Sequence, residues 1–320
     1  MNRDILSFLM SGDVSIQYQT QRDLLGNDDE SLQERIAMEG WGRQILSKQK
    51  PGSHWGDRFY QPKWISTHYT LLDLRHLCLS QSNKQVHRAI EFIIANEKGP
   101  DGGVGPFGAE RNCDVCVNGM FLNYASYFTT PEQDLESIID FLIGQWMMDG
   151  GFNCRSNRSG AIHSSVHSTI SVLEGISSFE KQGYSYRLEE LRKIKSRAIE
   201  FLLLHKLFKS DRTGEIIHKD FLKLSYPSRW KYDILRALDY LKEEKYPWDT
   251  RLQAAIDVLH RKRRKDGLWN VQAKHPGQVH VEMEKAGKTS RWNTLRVMRV
   301  FQHFNIPLQQ SSPKNTCTIS

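Results

Sequence analysis

The side chains able to do chemistry gather in the middle of this sequence and again near its end. Five cysteines (Cys78, Cys113, Cys116, Cys154 and Cys317) make an odd set. An odd set argues against a disulfide framework and leaves reduced thiols to act as metal ligands or nucleophiles. Polar residues recur where loops meet helices: Arg155, Arg158 and His163 in one loop, His218 and Lys219 in another, then Arg229, Lys231, Lys285 and Arg291. Such groups hold an anion or substrate, or else serve as ordinary loop charges and helix caps. Glu282 and Glu284 stand directly before an Arg-Trp helix start, where a carboxylate could act as general base or ligand. Two carboxylates two apart on an extended loop point opposite ways, so they suit a glycosidase pair poorly. Trp64, Trp230 and Trp292 occupy similar points in three segments and either line an apolar cavity or pack neighbouring helices together.

The elements that must position these residues are repeats. An amphipathic helix, a Gly-centred turn, a polar loop and a second, more apolar helix recur, with turns at PGSHWG (51–56), DGGV (101–104), DGGF (149–152), RTGEI (212–216) and DGLW (266–269). Glycine suits a helix that stops abruptly, because the chain there takes positive φ. RAIEF precedes a turn at Arg88 and again at Arg197, and AAIDVL from Ala254 plays the same part. CVNGMFLNYASYF (116–128) and HSTISVLEGISSF (167–179) follow turns and align without a gap. WISTHYTLLDLRHL from Trp64, RWKYDILRALDYL from Arg229 and RWNTLRVMRVFQHF from Arg291 complete the series. Residues 3–25 add a first pair, and residues 30–47 supply the outer helix before PGSHWG. Six hairpins and no sustained period-2 alternation predict an all-α protein. A hairpin repeat buries its faces only against neighbours, so an open solenoid or a closed (α/α)6-type ring is expected. The mostly apolar second helices suit the ring's inner wall. The expected organisation is one toroid over 1–308 and a frayed tail over 309–320.

Composition bounds the partners. The 320 residues are 39% apolar and 25% charged, with a mean hydropathy of -0.56. The only apolar patch near the start, Ile5 to Met10, is too short for a signal-peptide core or a membrane span, so a cytoplasmic location is expected. A net charge of +7 favours anionic partners: a diphosphate, a nucleic acid or a membrane surface. The densest basic run, His260 to Lys265, falls at a predicted helix end, where the helix dipole favours it. Lacking interleaved aromatics, it does not specify nucleic acid.

Gln145, Trp146 and the DGGFN that follows resemble the QW-type repeat of squalene-hopene cyclases and protein prenyltransferase β-subunits, and the resemblance extends over about 50–305. It implies an α/α toroid. The cyclases' DxDD acid and DDxxD motif have no counterpart; Asp28-Asp29-Glu30 comes nearest and reads as a helix cap. From the prenyltransferase side the resemblance implies a zinc ligand set, Asp114 and Cys116 opening one inner helix and His167 at the aligned position of the next. Carboxylate, thiolate and imidazole suit zinc, and three ligands leave an open position. Cys113, Cys154 and His163 are alternative ligands. As single residues, Cys116 also reads as a buried small hydrophobe, His167 as a core histidine and Asp114 as an N-cap. Arg111 matches an expected basic position, whereas Val117 replaces a tyrosine and Gly108 a second basic residue. A partner α-subunit is not implied.

The expectation is thus a zinc-dependent transferase or hydrolase acting on an apolar or isoprenoid substrate in the central cavity. The alternatives are a non-catalytic module holding a lipid, polyprenyl phosphate or peptide, and a glycan-active barrel. Cys317-Thr-Ile-Ser320 resembles a prenylation box with an atypical Thr.

Overall fold

The computed structural model describes residues 3–107 and 111–308, apart from the side chain of Arg158. Gly108, the tail from 309 and Cys317–Ser320 lie outside the described residues. The described chain is mostly helical. Its strands are two-residue ladders, Pro106–Phe107 with Asn112–Cys113 and Trp269–Asn270 with Thr289–Ser290.

Six hairpins follow one another. Outer α1 (Arg3–Met10) leads to inner α2 (Val14–Leu25), and the short α3 (Glu30–Arg35) and α4 (Gly40–Leu46) lead to α5 (Thr67–His76). The expected single outer helix over 30–47 is therefore two pieces. Next come α6 (Lys84–Asn96) with α7 (Val115–Tyr127), and α8 (Glu132–Gly144), the one-turn α9 (Ser156–Ser159) and α10 (Val166–Lys181). Then α11 (Leu188–Leu204) precedes α12 (Ile234–Glu243), and α13 (Gln253–Lys262) precedes α14 (Arg291–His303). Local chemistry fixes many of the starts. The side chains of Asp13, Asp29, Ser66, Asn83, Asp233 and Ser290 each accept a backbone N–H of the helix they open.

A device absent from the sequence reading locks the turns to the inner helices. In four of the five Gly turns a residue of the turn gives its N–H to a polar side chain at the start of the following inner helix. Trp55 bonds Thr67 Oγ1 at 3.0 Å, Val104 bonds Asn118 Oδ1 at 2.7 Å, Phe152 bonds Thr169 Oγ1 at 3.0 Å and Trp269 bonds Thr294 Oγ1 at 3.2 Å. Trp55 and Trp269 also donate their indole N–H to Ile45 O and Leu259 O on the preceding outer helices. One aromatic residue thus ties both helices of a hairpin together.

The inner helices touch in cyclic order. Gln19 of α2 reaches His76 O at the end of α5 (2.9 Å), and His68 of α5 meets the Tyr124 hydroxyl of α7 (3.2 Å). Helices α7 and α10 pack closest: a Cβ on Gly119 would lie 2.7 Å from the Ser171 backbone, and one on Gly175 2.5 Å from Gly119 O. Glu174 of α10 pairs with Arg236 of α12 at 2.7 Å. Arg299 of α14 then bonds Asp239 of α12 and, at 2.8 Å, Asp23 of α2.

Candidate functional site

The expected ligands start where predicted, with Cys116 and His167 each second in its helix. Their side chains then go separate ways. Cys154 Sγ accepts the Cys116 N–H at 3.0 Å and the Ser168 hydroxyl at 3.3 Å, which gathers Cys116, Cys154 and neighbouring Asp114. His167 Nδ1 accepts the Tyr232 N–H at 2.8 Å, and its ring packs edge-on against Phe221 and Trp230. Burial, then the charges of Arg236 and Lys231, push its pKa down to about 4. Among the described residues, no group of three or more His, Cys, Asp or Glu is disposed to hold a metal ion. The residues present do not fit the expected zinc centre. Cys113 is buried, its thiol pushed up by burial and the nearby Asp101 carboxylate, and His163 is exposed on its loop.

The other expected residues divide likewise. Glu282 is an exposed partner of Lys274 at 2.7 Å, whereas Glu284 accepts the Trp292 N–H at 3.0 Å and the Ser290 hydroxyl, capping α14. They do not act as a pair. Arg291 reaches back to Phe8 O and Ser11 Oγ on the first hairpin. Arg111, Arg155 and Lys219 are exposed.

Arg229, Trp230 and Lys231 precede α12 rather than open it. Arg229 has φ +58°, and its buried guanidinium pairs with buried Asp73 of α5. They belong to a cover across the N-terminal ends of the inner helices. Segments 224–233 and 271–281 join at Ser225 and Ala273; Trp64 Nε1 bonds Pro276 O at 2.6 Å, and Thr70 Oγ1 contacts His280 Nε2 at 2.9 Å. A Cβ on Gly277 would fall 2.2 Å from the Trp64 ring. Trp64 therefore packs beneath the cover, and Lys63 lies over the rings of Trp64 and of the cover's own Trp230.

Behind the cover, in the C-terminal halves of the inner helices, lies a chamber of about 440 Å³, within the size range of small-molecule sites. Its floor is Tyr226 stacked on Trp292, with centroids 4.7 Å apart. Lys181 and Glu243 mark its mouth, with side chains 47% and 44% exposed. Of the three tryptophans, Trp292 alone lines it. The wall carries many charges: Arg22, Arg75, Lys181, Arg236, Arg296 and Arg299 line it together with four carboxylates. Each carboxylate is tied to a cation: Asp23 to Arg22 and Arg299, Glu174 to Arg236, Asp239 to Arg296 and Arg299, and Glu243 to Lys242. None is placed as an uncommitted general acid or base.

Two lining side chains are left over. Asn123 is 3% exposed and its Oδ1 has no hydrogen-bond partner. Arg75 lies over the Tyr127 ring at 4.4 Å, and its buried Nε has no hydrogen-bond partner. Burial holds His76 well below the usual imidazole range, and the guanidiniums of Arg75, Arg236, Arg296 and Arg229 push it further down. Sequence reasoning missed this site because its residues look like solvated charges on helix ends. The usable signal was recurrence, with arginine in the last two turns of α2, α5 and α14 and near the start of α12.

No helix among the described residues is long and apolar enough to cross a membrane. A scan of protein-family models finds no match, nor does a search of curated proteins. Solved structures similar to the chain include a variant of the type II terpene cyclase MstE from Scytonema in complex with geranylgeranyl dihydroxybenzoate. That likeness has a TM-score of 0.47 at 13% identity over 92% of this chain and 88% of that one. Another is a glycosyl hydrolase family 88 protein from Bacteroides vulgatus, with TM-score 0.47 and 14% identity over 91% and 89%. A third is a protein from Actinoplanes, with TM-score 0.45 and 14% identity over 91% and 90%. At these scores a likeness assigns no activity. Along about nine-tenths of its length, the chain is similar both to a terpene cyclase and to a glycosyl hydrolase.

Proposed function

We propose that the protein is a closed (α/α)6-type ring whose chamber, entered from the C-terminal ends of the inner helices, binds a small polar molecule. The observation that carries this reading is the lining, where six cationic side chains and four carboxylates surround the space and the amide of Asn123 adds a further polar group. A wholly hydrocarbon isoprenoid would instead desolvate ten charged lining groups without offering any of them a hydrogen bond. With every lining carboxylate committed to a cation, the reading is of binding, and no chemical step is derived from it.

The test is thermal-shift and calorimetric titration of the full chain with glucose, gluconate, glucose 6-phosphate and geranylgeraniol. Polar probes should stabilise the protein. Asn123→Leu should fold as wild type does and lose part of that stabilisation, because it removes a polar group from the chamber wall. Stabilisation by geranylgeraniol alone would overturn the reading.

A further inference from the structure

Which polar molecule the chamber takes is set by the charges around it. Building on the chamber reading above, we infer that its ligand is an anion, a phosphate or carboxylate carried on a hydroxylated body, and that Arg75 is the group that anchors it.

Among the chamber's cations, Arg75 stands apart. Arg22 is held by Asp23 and by Cys78 Sγ, Arg236 by Glu174, Arg296 and Arg299 by Asp239, and Lys181 by glutamates at the mouth. Among the described residues Arg75 has no carboxylate within ion-pair distance, only the face of Tyr127. That ring is itself fixed, its hydroxyl donating to Leu79 O at 2.9 Å and accepting from Gln33 Nε2 at 3.5 Å. The guanidinium therefore sits over a fixed ring, with no carboxylate among the described residues to take up its donors. A planar fork of N–H donors in such a setting matches a carboxylate or phosphate edge.

The charge balance agrees, with six cationic side chains against four carboxylates in the lining, an excess of positive charge that an anion offsets. His76 adds no charge of its own, because burial first, and then the guanidiniums of Arg75, Arg236, Arg296 and Arg229, hold it below the usual imidazole range. Asn123 supplies the second half of the specificity. It lies one turn before Tyr127 on α7, and residues four apart on a helix are neighbours on one face, with Cβ atoms about 5–6 Å apart. A chamber-lining amide thus stands beside the ring that carries the anion anchor. This spacing suits one molecule bearing both an anion and a hydroxyl.

The experiment is isothermal titration of the full chain with glucose 6-phosphate, gluconate and glucose, on wild type, Arg75→Gln and Arg75→Lys. At least one anion should bind tenfold or more tighter than glucose; which one separates phosphate from carboxylate. Arg75→Gln should erase that preference while leaving glucose affinity within twofold, and Arg75→Lys should restore part of it. Thermal melts of both variants within a few degrees of wild type establish that they fold. If glucose binds as tightly as both anions, the anion assignment falls and the chamber reading stands. Anion binding that survives Arg75→Gln places the anion elsewhere, such as the basic run at His260–Lys265, and overturns the assignment. If none of the three binds, the chamber reading falls with it.

Discussion

Replacing Asp73 with asparagine should destabilise the protein far more than one surface substitution does. Asp73 and Arg229 are 5% and 4% exposed and face one another between α5 and the cover. The mutation leaves a buried guanidinium without its counter-charge, and breaking a buried pair in this way costs about 3–5 kcal/mol. For a chain of this size that corresponds to a melting temperature lower by roughly 4–7 °C. Arg229→Met tests the other half of the pair, with a different pH signature. Burial already lifts the Asp73 pKa above its ordinary 3.8 despite the adjacent guanidinium. Without Arg229 it must rise further, and the folded state then binds a proton that the unfolded state releases. A raised carboxyl pKa favours the folded state as pH falls, so the deficit of Arg229→Met should be largest near pH 8 and shrink towards pH 5. Urea unfolding at several pH values measures both effects. An Asp73→Asn deficit below about 1 kcal/mol, or an Arg229→Met deficit that does not vary with pH, would refute the account.

Further outcomes follow from other sites. His68, whose pKa burial lowers to about 3, and His76 are both depressed. The unfolded state therefore takes up protons first below the ordinary 6.5, and stability should fall as pH drops from 6.5 to 5. Each imidazole that stays neutral accounts for up to about 2 kcal/mol at pH 5, and a melting temperature flat between pH 7 and 5 would contradict this. Gly119→Ala gains about 1 kcal/mol of helix propensity but must force α10 away from α7, at about 1–3 kcal/mol. A net loss in urea unfolding is expected, and a gain would mean the two helices separate freely. Thr169→Val keeps the shape but strands the buried Phe152 N–H, so a loss of about 1–3 kcal/mol is expected in the same assay. Because Cys116 and His167 are committed to different neighbours, elemental analysis of Cys116→Ala and His167→Ala should match wild type. One zinc per chain, lost in both variants, would restore the prenyltransferase-like centre.

The helical hairpins were legible because their signals are local: a capping side chain, a period, and a glycine where the chain turns with positive φ, as at Gly102 and Gly150. Even the alignment of Cys116 with His167 was right as a statement about helix register. What register cannot convey is where a side chain finds its partner. His167 is claimed by the Tyr232 backbone, 65 residues away, and Arg229 by Asp73, 156 residues away. Those pairings decide that the N-terminal mouth is covered and that the space lies at the other end. Glu284 illustrates the same limit. Read as a loop carboxylate, it offered acid–base chemistry; in the fold it satisfies the start of α14.

The bridge from Arg299 to both Asp23 and Asp239 has a consequence for the order in which the molecule is made. Helix α14 is the last of the inner series to be synthesised, yet it stands between the first and the fifth. Until it arrives, Asp239 of α12 lacks both of its arginines and Asp23 of α2 keeps only Arg22, and the charged faces that later enclose the chamber stay open to water. The chamber is therefore complete only once α14 bridges α2 and α12. A nascent chain lacking its final hairpin holds nearly all of the wall and none of the container.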